Sequence, residues 1–150
     1  MELILWRHAE AFDGVPDRER ELTNKGHQQA KKMGAFLRAR LPEPTRILVS
    51  PALRTQQTAR AFSKTFTTEP AVGPGASAQS VLEAAGWPDA EGAVLVVGHQ
   101  PVLGQVAALL LADSGNSFSV KKGAIWWLSR HTEDGDYQTK LRLAIAPENL

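Results

Sequence analysis

The feature that most constrains this chain is a run of five apolar residues, Ala93–Val97, in which apolar and polar positions do not alternate. A strand with one face in water alternates, whereas a strand buried on both faces does not. Strands of the second kind belong to parallel sheets covered by helices, and the neighbouring segments supply them. Glu2–Trp6 and Arg46–Val49 read as further short strands. One helix is expected to open at Thr23, an N-cap, with Ala30, Met33, Phe36 and Leu37 on one face, and to stop by Leu41 ahead of Pro42. Another is expected from Ser50-Pro51, with Ser as N-cap and Pro as first helical residue, to about Phe62. Ser77–Ala85 and Val102–Ala112 are the remaining helical stretches. A weaker strand is expected near Glu69–Val72, and Ala124–Ser129 and Tyr137–Ala144 flank a polar turn at Glu133–Asp136 as a hairpin would. The expectation is an α/β fold: three layers, α/β/α, with a mainly parallel central sheet and an antiparallel C-terminal edge, in a single domain over residues 1–150.

Composition excludes several functions. The chain has no cysteine, which removes disulfides, thiolate zinc sites and a cysteine nucleophile together. A formal net charge of +1 gives no reason to expect nucleic acid as a partner. Lys25, Lys31, Lys32, Arg38 and Arg40 cluster at helical spacing, which reads as a solvated face. The longest apolar stretches, Ala93–Val97 and Val106–Ala112, are too short to span a bilayer, so no membrane association is expected. Leu3–Trp6 runs straight into Arg7-His8 and Glu10, which is unlike a signal peptide, and a cytoplasmic location is the expectation.

In an open α/β sheet, functional groups gather at the carboxyl ends of strands. Arg7-His8 follows the first strand, Arg54 lies in the first turn of the helix after the second, and His99 follows Ala93–Val97 by way of Gly98. A parallel sheet would bring two arginines and two histidines to one edge. Guanidinium groups bind phosphoryl oxygens bidentately and stay charged, and a neutral imidazole is a competent phosphoryl acceptor. Helix N-termini at Pro51 and Gln100 would add backbone donors. His27 and His131 lack such placement and read as structural or solvated; Trp126-Trp127 reads as core filling, one ring inside and one partly exposed.

The same residues fall in four ordered blocks. Leu3-Ile4-Leu5-Trp6-Arg7-His8-Ala9-Glu10-Ala11 resembles the strand-plus-RHG signature of the histidine phosphatase (phosphoglycerate mutase-like) superfamily. Leu22-Thr23-Asn24-Lys25-Gly26 resembles its Leu-Thr-x-x-Gly element, Ser50 through Ala59 its Ser-Pro-x-x-Arg-x-x-Gln-Thr-Ala block, and Val96-Val97-Gly98-His99-Gln100-Pro101 its second-histidine turn. The short length, the RHAEA form and the run from Asp17 through Arg20 to Thr23 are most similar to the SixA-type phosphohistidine phosphatases. The resemblance implies a phosphoglycerate mutase-like fold, His8 as the phosphorylated nucleophile, and Arg7, Arg54 and His99 around the phosphate. It also implies Arg20 as a phosphate or substrate contact.

Ala9 stands where the family usually has glycine. No acid between Arg54 and His99 matches the family's general acid: Glu69 and Glu83 are nearest, but their surroundings differ, and Asp17 is the substitute candidate. Only about 25 residues separate the weak third strand from Ala93, too few for a helical lid. An open groove suits a phosphohistidine on a protein, of the histidine phosphotransfer-domain type. The alternatives are a small phosphomonoester such as a sugar, nucleotide or terpenoid phosphate and, in another class, a non-catalytic phosphoprotein-binding module. No cofactor and no metal are expected, since no carboxylate cluster accompanies the histidines.

Overall fold

Six strands and four helices carry the chain in the computed structural model, which describes residues 1–131 and 138–150. The strands are β1 (Glu2–Arg7), β2 (Thr45–Val49), β3 (Thr67–Thr68), β4 (Ala93–Gly98), β5 (Ile125–Arg130) and β6 (Thr139–Ile145). They form one sheet in the order β3-β2-β4-β1-β5-β6. β1, β2, β3 and β4 run parallel, while β5 and β6 are antiparallel at the edge. The missing alternation in β1 and β4 now has its cause. Leu3, Leu5, Val94 and Val96 pack into one apolar cluster with residues of α3 (Ala78–Ala85) and α4 (Val102–Ala112). Ile4, Trp6, Leu95 and Val97 pack on the other face against Met33 and Leu37 of α1 (Asn24–Arg38) and Ala59 of α2 (Leu53–Arg60). The stretches Leu3–Trp6 and Ala93–Val97 are apolar throughout because each face meets a helical layer.

The connections decide where a site can lie. From β1 the chain crosses by way of α1 to β2, on one side of the sheet; from β4 it crosses by way of α4 to β5, on the other. β1 and β4 are neighbours, with Arg7 opposite Gly98. The order therefore reverses between them, which is where an α/β sheet opens a crevice beyond its strand ends.

Three sequence expectations need correction. The third strand lies at Thr67–Thr68, and Pro70–Val72 is a 3₁₀ turn capped by the Glu69 carboxylate, which accepts from the Ala71 amide at 3.0 Å. Pro70 fixes φ and lacks an N–H, so it starts such a turn more readily than it continues a strand. Ser50 is not a helix cap: α2 begins at Leu53 with Ala52 as its N-cap. Likewise the helix after β4 starts at Val102, not Gln100. Thr23 caps α1 as expected, accepting from the Gly26 amide at 2.9 Å. The turn expected at Glu133–Asp136, with Tyr137, lies outside the described residues.

Candidate active site

Arg7 and His8 leave the end of β1, Ser50 the end of β2 and His99 the end of β4, all at one sheet edge. Antiparallel β5 starts at that edge, so the turn before it packs onto the same place: the Gly123 amide donates to the His8 carbonyl at 3.0 Å. Trp6, wholly buried, donates from Nε1 to the Gly123 carbonyl at 3.0 Å and fixes that turn from below.

His8 is 6% exposed, His99 5% and Arg54 5%, so three ionisable side chains here are at least nine-tenths buried. The imidazole rings lie 5.4 Å apart, tilted by 56°. His8 Nδ1 lies 2.7 Å from the Ala9 carbonyl oxygen. A carbonyl can only accept, so Nδ1 carries the proton and Nε2 keeps its lone pair. His99 Nδ1 faces an Arg54 terminal nitrogen at 3.4 Å and Nε2 lies 2.7 Å from Ser50 Oγ. A guanidinium only donates, so His99 Nδ1 accepts and Nε2 donates to the serine. Burial, outweighing the Ala9 hydrogen bond, together with the fields of Arg54, Arg7 and Arg20, pushes the His8 pKa down to about 4. Burial, then Arg54 and His8, pushes His99 down to about 3. Both rings are therefore neutral at pH 7.

The arginines are held with part of their donor capacity left over. Arg7 donates to the Val120 carbonyl at 2.9 Å. Arg54 donates to the Asp17 carbonyl at 2.9 Å and its carboxylate at 3.1 Å. Arg7 Nε and Arg54 Nε are buried without a hydrogen-bond partner, the state of a donor set that an anion would complete. Arg20 binds Asp17 at 3.1 Å and the Phe12 carbonyl at 2.7 Å, so Asp17 bridges two guanidinium groups. Hydrogen bonding from Arg20, reinforced by Arg54, holds the Asp17 carboxyl below its usual range.

All six expected residues thus meet at one end of the sheet: His8, His99, Arg7 and Arg54 at its strand ends, Asp17 and Arg20 on the loop above. The direction at Asp17 keeps it ionised, with no proton to donate and a lower proton affinity than an unpaired carboxylate. Glu69 caps its turn and Glu83 accepts from Gln79 at 2.9 Å. His27 is exposed, and His131 donates to Glu2 at the far end of β1. Among the described residues no three His, Asp or Glu side chains gather into a set that could hold a metal ion.

Several supporting residues went unread in the sequence. Ser50 orients His99, a role its helix-start sequence does not signal. Thr58 accepts from the Ala9 amide at 3.1 Å and donates to the Arg54 carbonyl at 2.8 Å, tying the backbone after His8 to the helix that carries Arg54. Gln57 accepts from the Leu22 amide at 2.7 Å. At Gly26 an added Cβ would lie 2.0 Å from the Glu10 carbonyl oxygen, so only glycine lets α1 press against the segment after His8. The spacing within the motif blocks was the available signal; the partners were not.

Comparison with known proteins agrees with this geometry. Residues 3–77 match the model of the histidine phosphatase superfamily (branch 1). An uncharacterized protein of Picosynechococcus sp. (strain ATCC 27264 / PCC 7002 / PR-6) is 35% identical over 138 residues, 83% of this chain and 82% of its own. The SixA structure from Nakamurella multipartitia superposes with a TM-score of 0.82 at 27% identity, over 97% of this chain and 95% of that one. The protein histidine phosphatase SixA complexed with tungstate gives 0.77 at 23% identity over 99% of each chain, a likeness of fold. These neighbours share the phosphoglycerate mutase-like architecture.

Proposed function

Because this chain belongs to the histidine phosphatase superfamily (branch 1) and is a phosphatase, we propose that it works through a phosphoryl group carried on His8 and removes that group from phosphohistidine on a signalling phosphotransfer protein. The observation that carries the mechanism is the tautomer of His8: Nδ1 is held on the Ala9 carbonyl, which leaves the Nε2 lone pair beside Arg54, Arg7 and His99.

In the first step Nε2 attacks phosphorus in line. The bond from phosphorus to the substrate nitrogen breaks, and its electron pair leaves with the substrate imidazole. The new phosphoimidazole is cationic, and Nδ1–H on the Ala9 carbonyl stabilises it. Arg7 and Arg54 take charge from the equatorial oxygens, where it is spread at the transition state. His99, neutral, donating to Ser50 and accepting from Arg54, positions that guanidinium. In the second step water attacks phosphorus, the P–Nε2 bond breaks, and its electrons return to His8. Asp17, kept as a carboxylate, takes the water proton. Asp17 is the sequence's candidate general acid; held ionised by Arg20 and Arg54, it is assigned in this proposal to assisting the hydrolytic step. With an imidazole leaving group, the first step makes less demand on an acid than it would with an alkoxide.

No helix among the described residues is long and apolar enough to cross a membrane, and a phosphotransfer substrate fits a cytoplasmic enzyme. The deciding experiment is turnover of a radiophosphorylated histidine phosphotransfer domain, in EDTA, by wild type and His8→Ala. Release by the wild type alone supports the reading. Hydrolysis of a generic aryl phosphate without release from the domain would move the substrate to a small phosphomonoester, and loss of activity in EDTA would count against the metal-free mechanism.

A further inference from the structure

A cleft of about 570 Å³ opens on the Arg7 side of the site. One wall is the exposed face of α1, with Lys25 and Lys32; the other is the turn before β5, with Lys121 and Lys122. We propose that this cleft is a docking groove for acidic side chains of the protein substrate, occupied while the phosphorylated residue lies at His8. The inference rests on the phosphoprotein reading above and adds the surface that recognises the partner.

The reach of the cationic track favours a protein. Lys25 and Lys32 are seven residues apart, which on an α-helix is two turns and about 10 Å of one face. A single phosphate would touch one end of such a track, whereas acidic side chains from two turns of a partner helix would span it. The second wall stands at a fixed distance from the chemistry, because the Gly123 amide and carbonyl are bonded to the His8 carbonyl and the Trp6 indole. Arg7 contributes to both cleft and site, so the two are continuous.

The charges in the cleft are unevenly matched. The Glu10 carboxylate accepts from the Thr23 hydroxyl at 2.7 Å. Lys32 points to the Pro147 and Leu150 carbonyls at 3.4 and 3.1 Å. Glu148 reaches Lys121 at 2.6 Å, and its carboxyl is held below the usual range by that lysine and by Lys25. A carboxylate of this chain thus already lies in the groove in ion-pair geometry. Lys25 and Lys122 have no hydrogen-bond or ion-pair partner among the described residues. The molecule as a whole carries only +1, so the surplus is local. No aromatic residue lines the cleft, which removes the stacking platform that single-stranded nucleic acid uses.

The test is Lys25→Glu combined with Lys122→Glu; both side chains are exposed and make no hydrogen bond among the described residues, so the fold is retained. With a phosphorylated histidine phosphotransfer domain, the double variant should raise KM about tenfold and flatten the dependence of kcat/KM on salt, since rim charges act through encounter. Its kcat, and its kinetics on an aryl phosphate, should stay within about twofold of wild type. A fluorescent octaglutamate peptide should bind the His8→Ala enzyme and lose that binding in the double variant. Unchanged KM for the phosphoprotein, an equal fall on both substrates, or equal peptide binding would overturn the groove. If the wild type hydrolyses aryl phosphate but ignores the phosphoprotein, it is the substrate reading that has failed.

Discussion

The two ends of β1 both bury charge, and they do so in opposite ways. At its start the buried Glu2 carboxylate accepts from Trp127 Nε1 at 2.9 Å, from His131 and from Arg142. Burial raises its pKa, but the three hydrogen bonds outweigh burial and hold it below the usual range. That end is balanced: a carboxylate meets its cations and its donors. At its end, six residues along, stand Arg7, His8 and, across the sheet, His99 and Arg54, with two buried guanidinium nitrogens lacking partners and two imidazoles pushed to neutrality. Burial of unmatched positive charge is costly. A protein keeps it where an anion completes the set, and the contrast marks the second end as the functional one.

The contrast can be broken by substitution. His8→Ala should lower turnover by about 10⁴-fold or more, since it removes the atom proposed to accept the phosphoryl group; steady-state kinetics on an aryl phosphate checks this. Arg54→Lys should cost about 10²- to 10³-fold in kcat/KM, because one lysine cannot supply the fork that faces both His99 and the phosphate. Asp17→Asn should slow the hydrolytic step about tenfold, visible as accumulation of phosphoenzyme in a rapid-quench experiment. Glu2→Gln should do the reverse of these three. It should cost about 1–3 kcal/mol of stability in a denaturant titration, because Arg142 and His131 lose a charged partner, while leaving kcat/KM within about twofold. Failure of that separation would mean that the two ends are coupled.

The smallest effect is in the pH dependence of stability. The folded pKa values of His8 and His99, about 4 and about 3, lie below the ordinary value of 6.5. Below pH 6.5 the unfolded chain therefore binds more protons, so stability is full above 6.5 and falls as pH drops toward 4 and then 3. Replacing His8 by Gln should flatten part of that fall in urea titrations between pH 6.5 and 4. An unchanged slope would mean that the ring is not held neutral.

Much of this was legible in the sequence because it follows from local rules. Unalternating strands and intervening helices, one with a threonine N-cap, specify a covered parallel sheet, and such a sheet brings its carboxyl ends together. His8, His99, Arg7 and Arg54 were found for that reason. What was not legible depends on partners distant in sequence. Ser50-Pro51 has the form of a helix start, and only the approach of β4 gives the serine hydroxyl to His99. Of Glu69-Pro70-Ala71-Val72 only Val72 favours a strand, and Pro70 takes the segment into a turn. The ionisation of Asp17 is set by Arg20 and Arg54, whose approach depends on how the loop folds over the sheet. The lysines of α1 read as a solvated face and are exposed, but that Lys25 and Lys32 face Lys121 and Lys122 depends on contacts distant in sequence.

The most direct measurement is to quench the enzyme during turnover and locate the phosphoryl group by tandem mass spectrometry and ³¹P NMR. Phosphate on His8, attached at Nε2, is the result expected from the Ala9 hydrogen bond. Phosphate at Nδ1, on another residue, or undiminished turnover by His8→Ala would contradict it.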